Sequence, residues 1–121
     1  MIISAIGAFF LATGILLGAL GSHALPFNTE VLVRLGISNA VTIQLVHGAI
    51  LFCLGMLVSG RLERWLCYLL AFGVVLFCGS VYLKSFGLIA HARFAPFGGG
   101  LLMLTWIVQM VLMLRKALGK P

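Results

Sequence analysis

The chain has 121 residues, of which 63% are hydrophobic and 8% charged, with eight Lys and Arg against two Asp and Glu. A domain this small cannot hide so much apolar surface from water, so a soluble monomer is excluded; so is a disordered chain, which needs low hydrophobicity and high charge. The formal charge of +6 would point to nucleic acid in a soluble protein, but these cations stand singly or in pairs at the edges of apolar runs, where lipid headgroups lie.

The first apolar run covers residues 2–21. It lacks the positive n-region of a secretory signal peptide and is long enough to span a bilayer, so it reads as a retained transmembrane helix. Gly14, Gly18 and Ser22 recur along it at four-residue spacing, with Gly7 and Ala8 earlier. Small residues so spaced let helix backbones approach closely. That serves either packing within the chain or self-association of two copies through Gly14 and Gly18.

After Pro26, Asn28 or Thr29 can cap a helix. Phe27, Val31 and Leu35 then recur every four residues, opposite Glu30 and Arg34. The pattern predicts a short amphipathic helix lying at the interface, with an irregular surface loop as the alternative for so short a segment.

The second run covers residues 39–59 and is closed by Gly60-Arg61-Leu62-Glu63-Arg64. Gln44 and His47, three residues apart, share a helical face, and His47 would lie roughly 9 Å inside the span. A polar pair at that depth must face the bundle interior, as a hydrogen-bonded knot or as a site.

The third run, residues 65–83, ends in Cys78-Gly79-Ser80-Val81-Tyr82-Leu83-Lys84. Tyr82 suits the interfacial aromatic belt, and Lys84 can snorkel to the headgroups. The fourth, residues 97–114, opens as Ala95-Pro96-Phe97-Gly98-Gly99-Gly100 and stops at Arg115-Lys116. Three glycines are a poor helix start on propensity. They make sense where another backbone, at the end of span one or three, or a ligand headgroup packs against them. The free N–H groups there would also attract an anion.

Backbone groups in lipid must be satisfied internally, so each run is a helix. The fold expected is a single all-α domain over residues 1–121. It is an antiparallel bundle of four transmembrane helices with a short interfacial helix between the first two. Lys and Arg number five on the side of both termini (Arg61, Arg64, Arg115, Lys116, Lys120) and three on the other (Arg34, Lys84, Arg93). That bias places both termini in the cytoplasm.

Antiparallel topology gathers His23, Gln44, His47, Ser80, Tyr82, Lys84, His91, Arg93, Gly98, Gly99 and Gly100 in one half of the bundle. The opposite half is almost purely apolar. Any ligand or partner zone is therefore expected in the first half. No metal or cofactor is expected: Cys53, Cys67 and Cys78 have no C-x-x-C spacing and read as small buried hydrophobes. His23 and His47 differ too much in depth to ligate one haem iron easily. No Asp or Glu lies inside a span, so a carboxylate proton relay has no members. Acid–base catalysis would rest on His47 without an orienting carboxylate, so the chain reads as not an enzyme. Two functions remain: an accessory or scaffold protein packing against a larger membrane complex, or a binder of anionic lipids or small amphiphiles in the polar half.

Four blocks carry a family resemblance. Gly18-Ala19-Leu20-Gly21-Ser22-His23-Ala24-Leu25, Gln44-x-x-His47, Gly79-Ser80-x-Tyr82-Leu83 and Ala95-Pro96-Phe97-Gly98-Gly99-Gly100-Leu101 occur in the order found in the YgdD-like family. Its members are uncharacterised small four-span inner-membrane proteins with a eukaryotic transmembrane relative. The resemblance covers nearly the whole chain. It implies a multi-pass bacterial inner-membrane protein and no catalytic activity, because the family has no established biochemical function. The chain departs from the family at Ile43, where an aromatic often stands, and at Cys78, where Ser often stands.

Overall fold

The computed structural model describes residues 1–25 and 29–119. Within them the chain forms four helices and no strand: α1 (Ile2–His23), α2 (Val31–Leu57), α3 (Arg61–Ser85) and α4 (Ala95–Ala117). At 1.5 Å rise per residue, lengths of 22 to 27 residues give about 33 to 40 Å, enough to cross a ~30 Å hydrocarbon core. All four are long and apolar enough to span a membrane. The chain is an all-α four-helix bundle.

One expected element is not separate. Residues 31–35 are the first turns of α2, not an interfacial helix of their own; Pro26, Phe27 and Asn28 lie outside the described residues. No proline interrupts residues 31–39, and continuing the helix satisfies every backbone group. Gly36 lies at ordinary contact distance from α3, since a Cβ there would lie 3.7 Å from Val81 and 3.8 Å from Ser85. The other helices run two to four residues past their apolar cores, and in α3 and at the end of α4 these extensions carry Arg61, Arg64, Lys84, Arg115 and Lys116.

The helix ends follow from local chemistry. At the end of α3, Gly87 adopts φ +74°, a left-handed conformation that glycine takes without a Cβ penalty. Its N–H donates to the Lys84 carbonyl and that of Leu88 to the Leu83 carbonyl, at 3.0 and 2.9 Å. This is the Schellman pattern that satisfies orphan carbonyls. Pro96 sits in the first turn of α4, where its missing N–H costs nothing.

α1 packs on α2, α2 on α3 and α3 on α4, with a small approach of α1 to α3. Ser4 beside Phe52, Gly36 beside Val81 and Glu63 paired with Lys116 make each successive pair antiparallel. The core follows the α2–α3 seam through Ile37, Ala40, Leu51, Leu70, Val74 and Cys78. α1 adds Ile3 and Phe10, whereas α4 buries only Gly98, Leu102 and Thr105.

Glycines set how closely the helices meet. A Cβ on Gly7 would strike the Phe52 backbone, at 2.8 Å from its Cα, and the Gly48 carbonyl at 2.6 Å. Gly14 and Gly21 meet Leu45 and Ile37 in the same seam, and Gly55 meets Ser4. Gly7, Gly14 and Gly21 thus repeat every seven residues along the face of α1 that meets α2, the period of a helix–helix seam. Gly18 faces Val41, so the four-residue small-residue pattern of α1 packs within the chain.

Candidate functional site

α2 carries Gln44 into the bundle, 5% exposed. Its Nε2 donates to the Phe10 carbonyl at 3.1 Å and to Thr13 Oγ1 at 2.7 Å, both on α1. Its Oε1 accepts from the Tyr82 hydroxyl of α3 at 2.8 Å. Thr13 passes its own proton to the Phe9 carbonyl at 2.7 Å. An unpaired amide or hydroxyl in hydrocarbon costs several kcal/mol, so this closed set fixes the register of three helices at once. One turn earlier on α2, the Ala40 carbonyl accepts from Cys78 Sγ at 3.3 Å. A serine hydroxyl at 78 could donate to the same carbonyl.

His47 faces the other way around α2, toward α4. Its Nδ1 lies 2.8 Å from the Ile43 carbonyl, and Trp106 Nε1 lies 3.1 Å from its Nε2. The indole N–H can only donate. Nε2 therefore accepts from the indole and Nδ1 donates to the Ile43 carbonyl, so both ring nitrogens are engaged. His47 is sixteen residues beyond Val31, about 24 Å along α2. Trp106 sits equally deep, at the middle of α4. Neither Thr13 nor Trp106 was expected as a partner. Their signals are a polar residue and an indole, each inside an apolar run.

The remaining candidates spread out. Ser80 is buried on α3. His23 lines a cleft of about 370 Å³ with Ser22, Leu25 and Arg34, where α1 ends. Lys84 lines another of about 340 Å³ with Glu30, Ser85 and Ala92. His91 and Arg93 are exposed in the α3–α4 connection. Gly98 meets α3 closely, a Cβ there falling 2.8 Å from Phe77 Cα and 2.9 Å from the Gly73 carbonyl. At Gly99 the approach is ordinary, 3.6 Å to the Phe77 ring, and at Gly100 nothing lies within 4 Å. The block's contact is thus concentrated on its first glycine, and it falls on the middle of α3. Among the described residues no three His, Cys, Asp or Glu side chains converge in a metal-ligating group.

At the other end of the bundle, Lys116 of α4 pairs with Glu63 of α3. Exposed pairs of this kind contribute little stability.

The family model described as "Protein of unknown function (DUF423)" matches residues 17–99. Two staphylococcal proteins, each named a UPF0382 membrane protein, are similar along most of the chain. That of Staphylococcus saprophyticus subsp. saprophyticus is 31% identical over 98 residues, covering 78% of this chain and 81% of the relative. That of Staphylococcus epidermidis is 32% identical over 104 residues, covering 83% and 84%. No solved structure matches. The matches agree with the resemblance carried by the four sequence blocks.

Proposed function

Since the chain belongs to the DUF423 family of proteins of unknown function, we propose that it is a non-enzymatic accessory protein of the bacterial inner membrane that packs beside a larger membrane protein. The observation that supports this reading is the closed polar network. Gln44, Thr13 and Tyr82 bond to one another, and His47 to Trp106 and Ile43. Catalysis or proton transfer needs a group poised with spare hydrogen-bonding capacity next to substrate space. Ser4, Gln44, Tyr82 and Trp106 instead tie helices together, which leaves the outer surface to act. α4 offers much of that surface, since its backbone approaches α3 alone and it exposes Ile107 and Met110 along its length.

Photocrosslinking in the native membrane tests the reading. A photoreactive side chain at Ile107 or Met110 should give one discrete protein adduct, while the same probe at Ile15, exposed on α1, should not. Lipid adducts alone at all three positions would overturn it.

Both termini are proposed to be cytoplasmic. Among the described residues Arg61, Arg64, Arg115 and Lys116 stand at that end against Arg34, Lys84 and Arg93 at the other; Lys120 lies outside them. A C-terminal reporter active only in the periplasm should be silent. A strong signal would reverse the orientation.

A further inference from the structure

The end of the bundle where α1 begins, α2 turns into α3 and α4 finishes carries none of the residues singled out by the polar pattern. On α3, Arg61, Arg64, Trp65 and Tyr68 fall at i, i+3, i+4 and i+7 and share one face. Together they line a cleft of about 450 Å³. A second cleft of about 340 Å³ shares Arg64 and Tyr68 and is walled by Ile3 of α1 and Gly55 of α2. Three helices therefore shape the site.

The arginines are not neutralised within the described residues. Neither arginine has an ion pair or side-chain hydrogen bond among the described residues, and Glu63 beside them is held by Lys116 from α4. The chain's other acid, Glu30, stands at the opposite end of the bundle. Two guanidinium groups, planar forks suited to phosphate oxygens, are left facing solvent on one turn.

The layers beneath them identify the anion. Trp65, beside Arg64 and one turn along from Arg61, stacks edge to face with Tyr68, with ring centroids 6.2 Å apart at 73°. Such rings, apolar in body and polar at one edge, sit at the ester level of a bilayer. Deeper on the same face, Phe72 is 56% exposed. Guanidinium, amphipathic ring and exposed apolar side chain follow the order of phosphate, glycerol ester and acyl chain. We propose that this face of α3 is a binding site for an anionic phospholipid, its phosphate held by Arg61 and Arg64 and one acyl chain lying along Phe72. The site stands apart from the accessory role and from α4's outer face, so either can fail alone.

The test reads Trp65 by fluorescence in the full chain carrying Trp106→Phe, which leaves Trp65 as its one tryptophan. The chain is reconstituted with phosphatidylglycerol or phosphatidylcholine brominated on the acyl chains, at equal mole fraction. Brominated phosphatidylglycerol should quench preferentially, with roughly five-fold preference for each arginine engaged. Arg61→Gln with Arg64→Gln should abolish the preference, and should that pair fail to reconstitute, each single variant should lose roughly five-fold. Arg115→Gln, which removes a cation at the same end but off this face, should leave it intact. Equal quenching by both lipids, or a preference unchanged in the arginine variants, would overturn the proposal. Inorganic phosphate, compared with chloride at matched ionic strength, separates the two sources of the anion. Preference that survives phosphate supports the lipid, whereas preference abolished by it assigns the arginines to free phosphate and overturns the lipid site.

Discussion

α1 and α4 are both outer helices that lean on one inner neighbour, yet they are attached by different means. α1 meets α2 backbone to backbone at Gly7 against Gly48 and Phe52 and at Ser4 against Gly55, and Gly14 and Gly21 seat the Leu45 and Ile37 side chains farther along the seam. It also receives the Gln44 amide at Phe10 and Thr13 and sends the Ser4 hydroxyl to the Phe52 carbonyl at 3.0 Å. α4 approaches α3 closely around Gly98, after which Leu102 of α4 packs on Gly73. Its bonds to other helices are Trp106 to His47 and the exposed Lys116–Glu63 pair. Burying apolar surface gains little in lipid, whose tails are as apolar as leucine, so helices associate through close packing and interhelical hydrogen bonds. By that measure α1 is fastened along its length and α4 at a few points.

The largest effect expected is at Gly7. A methyl there meets the backbone of Phe52 and Gly48, with no flexible side chain to move aside. Gly7→Ala should lose about 2–3 kcal/mol by overpacking, more than the ~1 kcal/mol gained in helix propensity. Detergent-titrated unfolding would read the difference. Gly98→Ala meets Phe77 and Gly73 backbone in the same way and should cost as much locally, but loosen α4 alone. Hydrogen exchange should then rise in α4 and stay unchanged in α1 and α2. Exchange rising equally in all four helices would erase the contrast between the outer helices.

Next comes the knot that joins α1 to α2 and α3. Gln44→Leu removes the acceptor of Tyr82 and the donor to Phe10 and Thr13. Leaving such groups unpaired should cost roughly 1–3 kcal/mol. Tyr82→Phe removes one bond only and should cost about 0.6 kcal/mol, the average for interhelical bonds in membranes. If Gln44→Leu melts like the parent protein, the register of α1 is set by its glycines alone.

The glycine block sharpens the picture in the opposite direction. Gly100 has nothing within 4 Å of its would-be Cβ, so Gly100→Ala should raise stability by up to about 1 kcal/mol. A loss there would reveal a contact from outside the chain, at a helix that makes few contacts within it.

Much of this was legible in the sequence, for a reason particular to lipid. Apolar length and the cost of open backbone groups fix four helices, and the depth of Gln44 demands a partner inside the bundle. The start of α2 was not legible. Val31, Leu35, Glu30 and Arg34 make the same pattern on a separate interfacial helix as on the first turns of a long one. The structure decides for the long helix, which runs unbroken from Val31 through Gly36, where it lies in ordinary contact with Val81 of α3. The seven-residue run of Gly7, Gly14 and Gly21 is visible in the sequence, but what it meets on α2, Gly48, Leu45 and Ile37, becomes evident only when the helices are aligned. Nor could spacing pair His47 with Trp106, since their contact depends on how far α3 and the α3–α4 connection carry α4 back along the bundle.

That pair gives the smallest effect, and it tests the weaker attachment most directly. α2 and α4 make no backbone approach among the described residues, so the 3.1 Å bond from Trp106 Nε1 to His47 Nε2 joins them across α3 by side chains. Trp106→Phe keeps an aromatic ring in the gap and removes only the donor, while His47→Leu removes the acceptor. Each single change also alters packing, which a double-mutant cycle subtracts. The coupling energy should be about 0.6 kcal/mol and no more than about 1.7 kcal/mol, the range for interhelical hydrogen bonds in a membrane protein. It should appear in the part of unfolding that releases α4. A coupling of zero would mean that α4 is held by α3 alone, and the contrast with α1 would then be sharper than the hydrogen bonds indicate. A coupling well above the range would mean that His47 and Trp106 fasten α4 as firmly as Gln44 fastens α1, and the contrast would collapse.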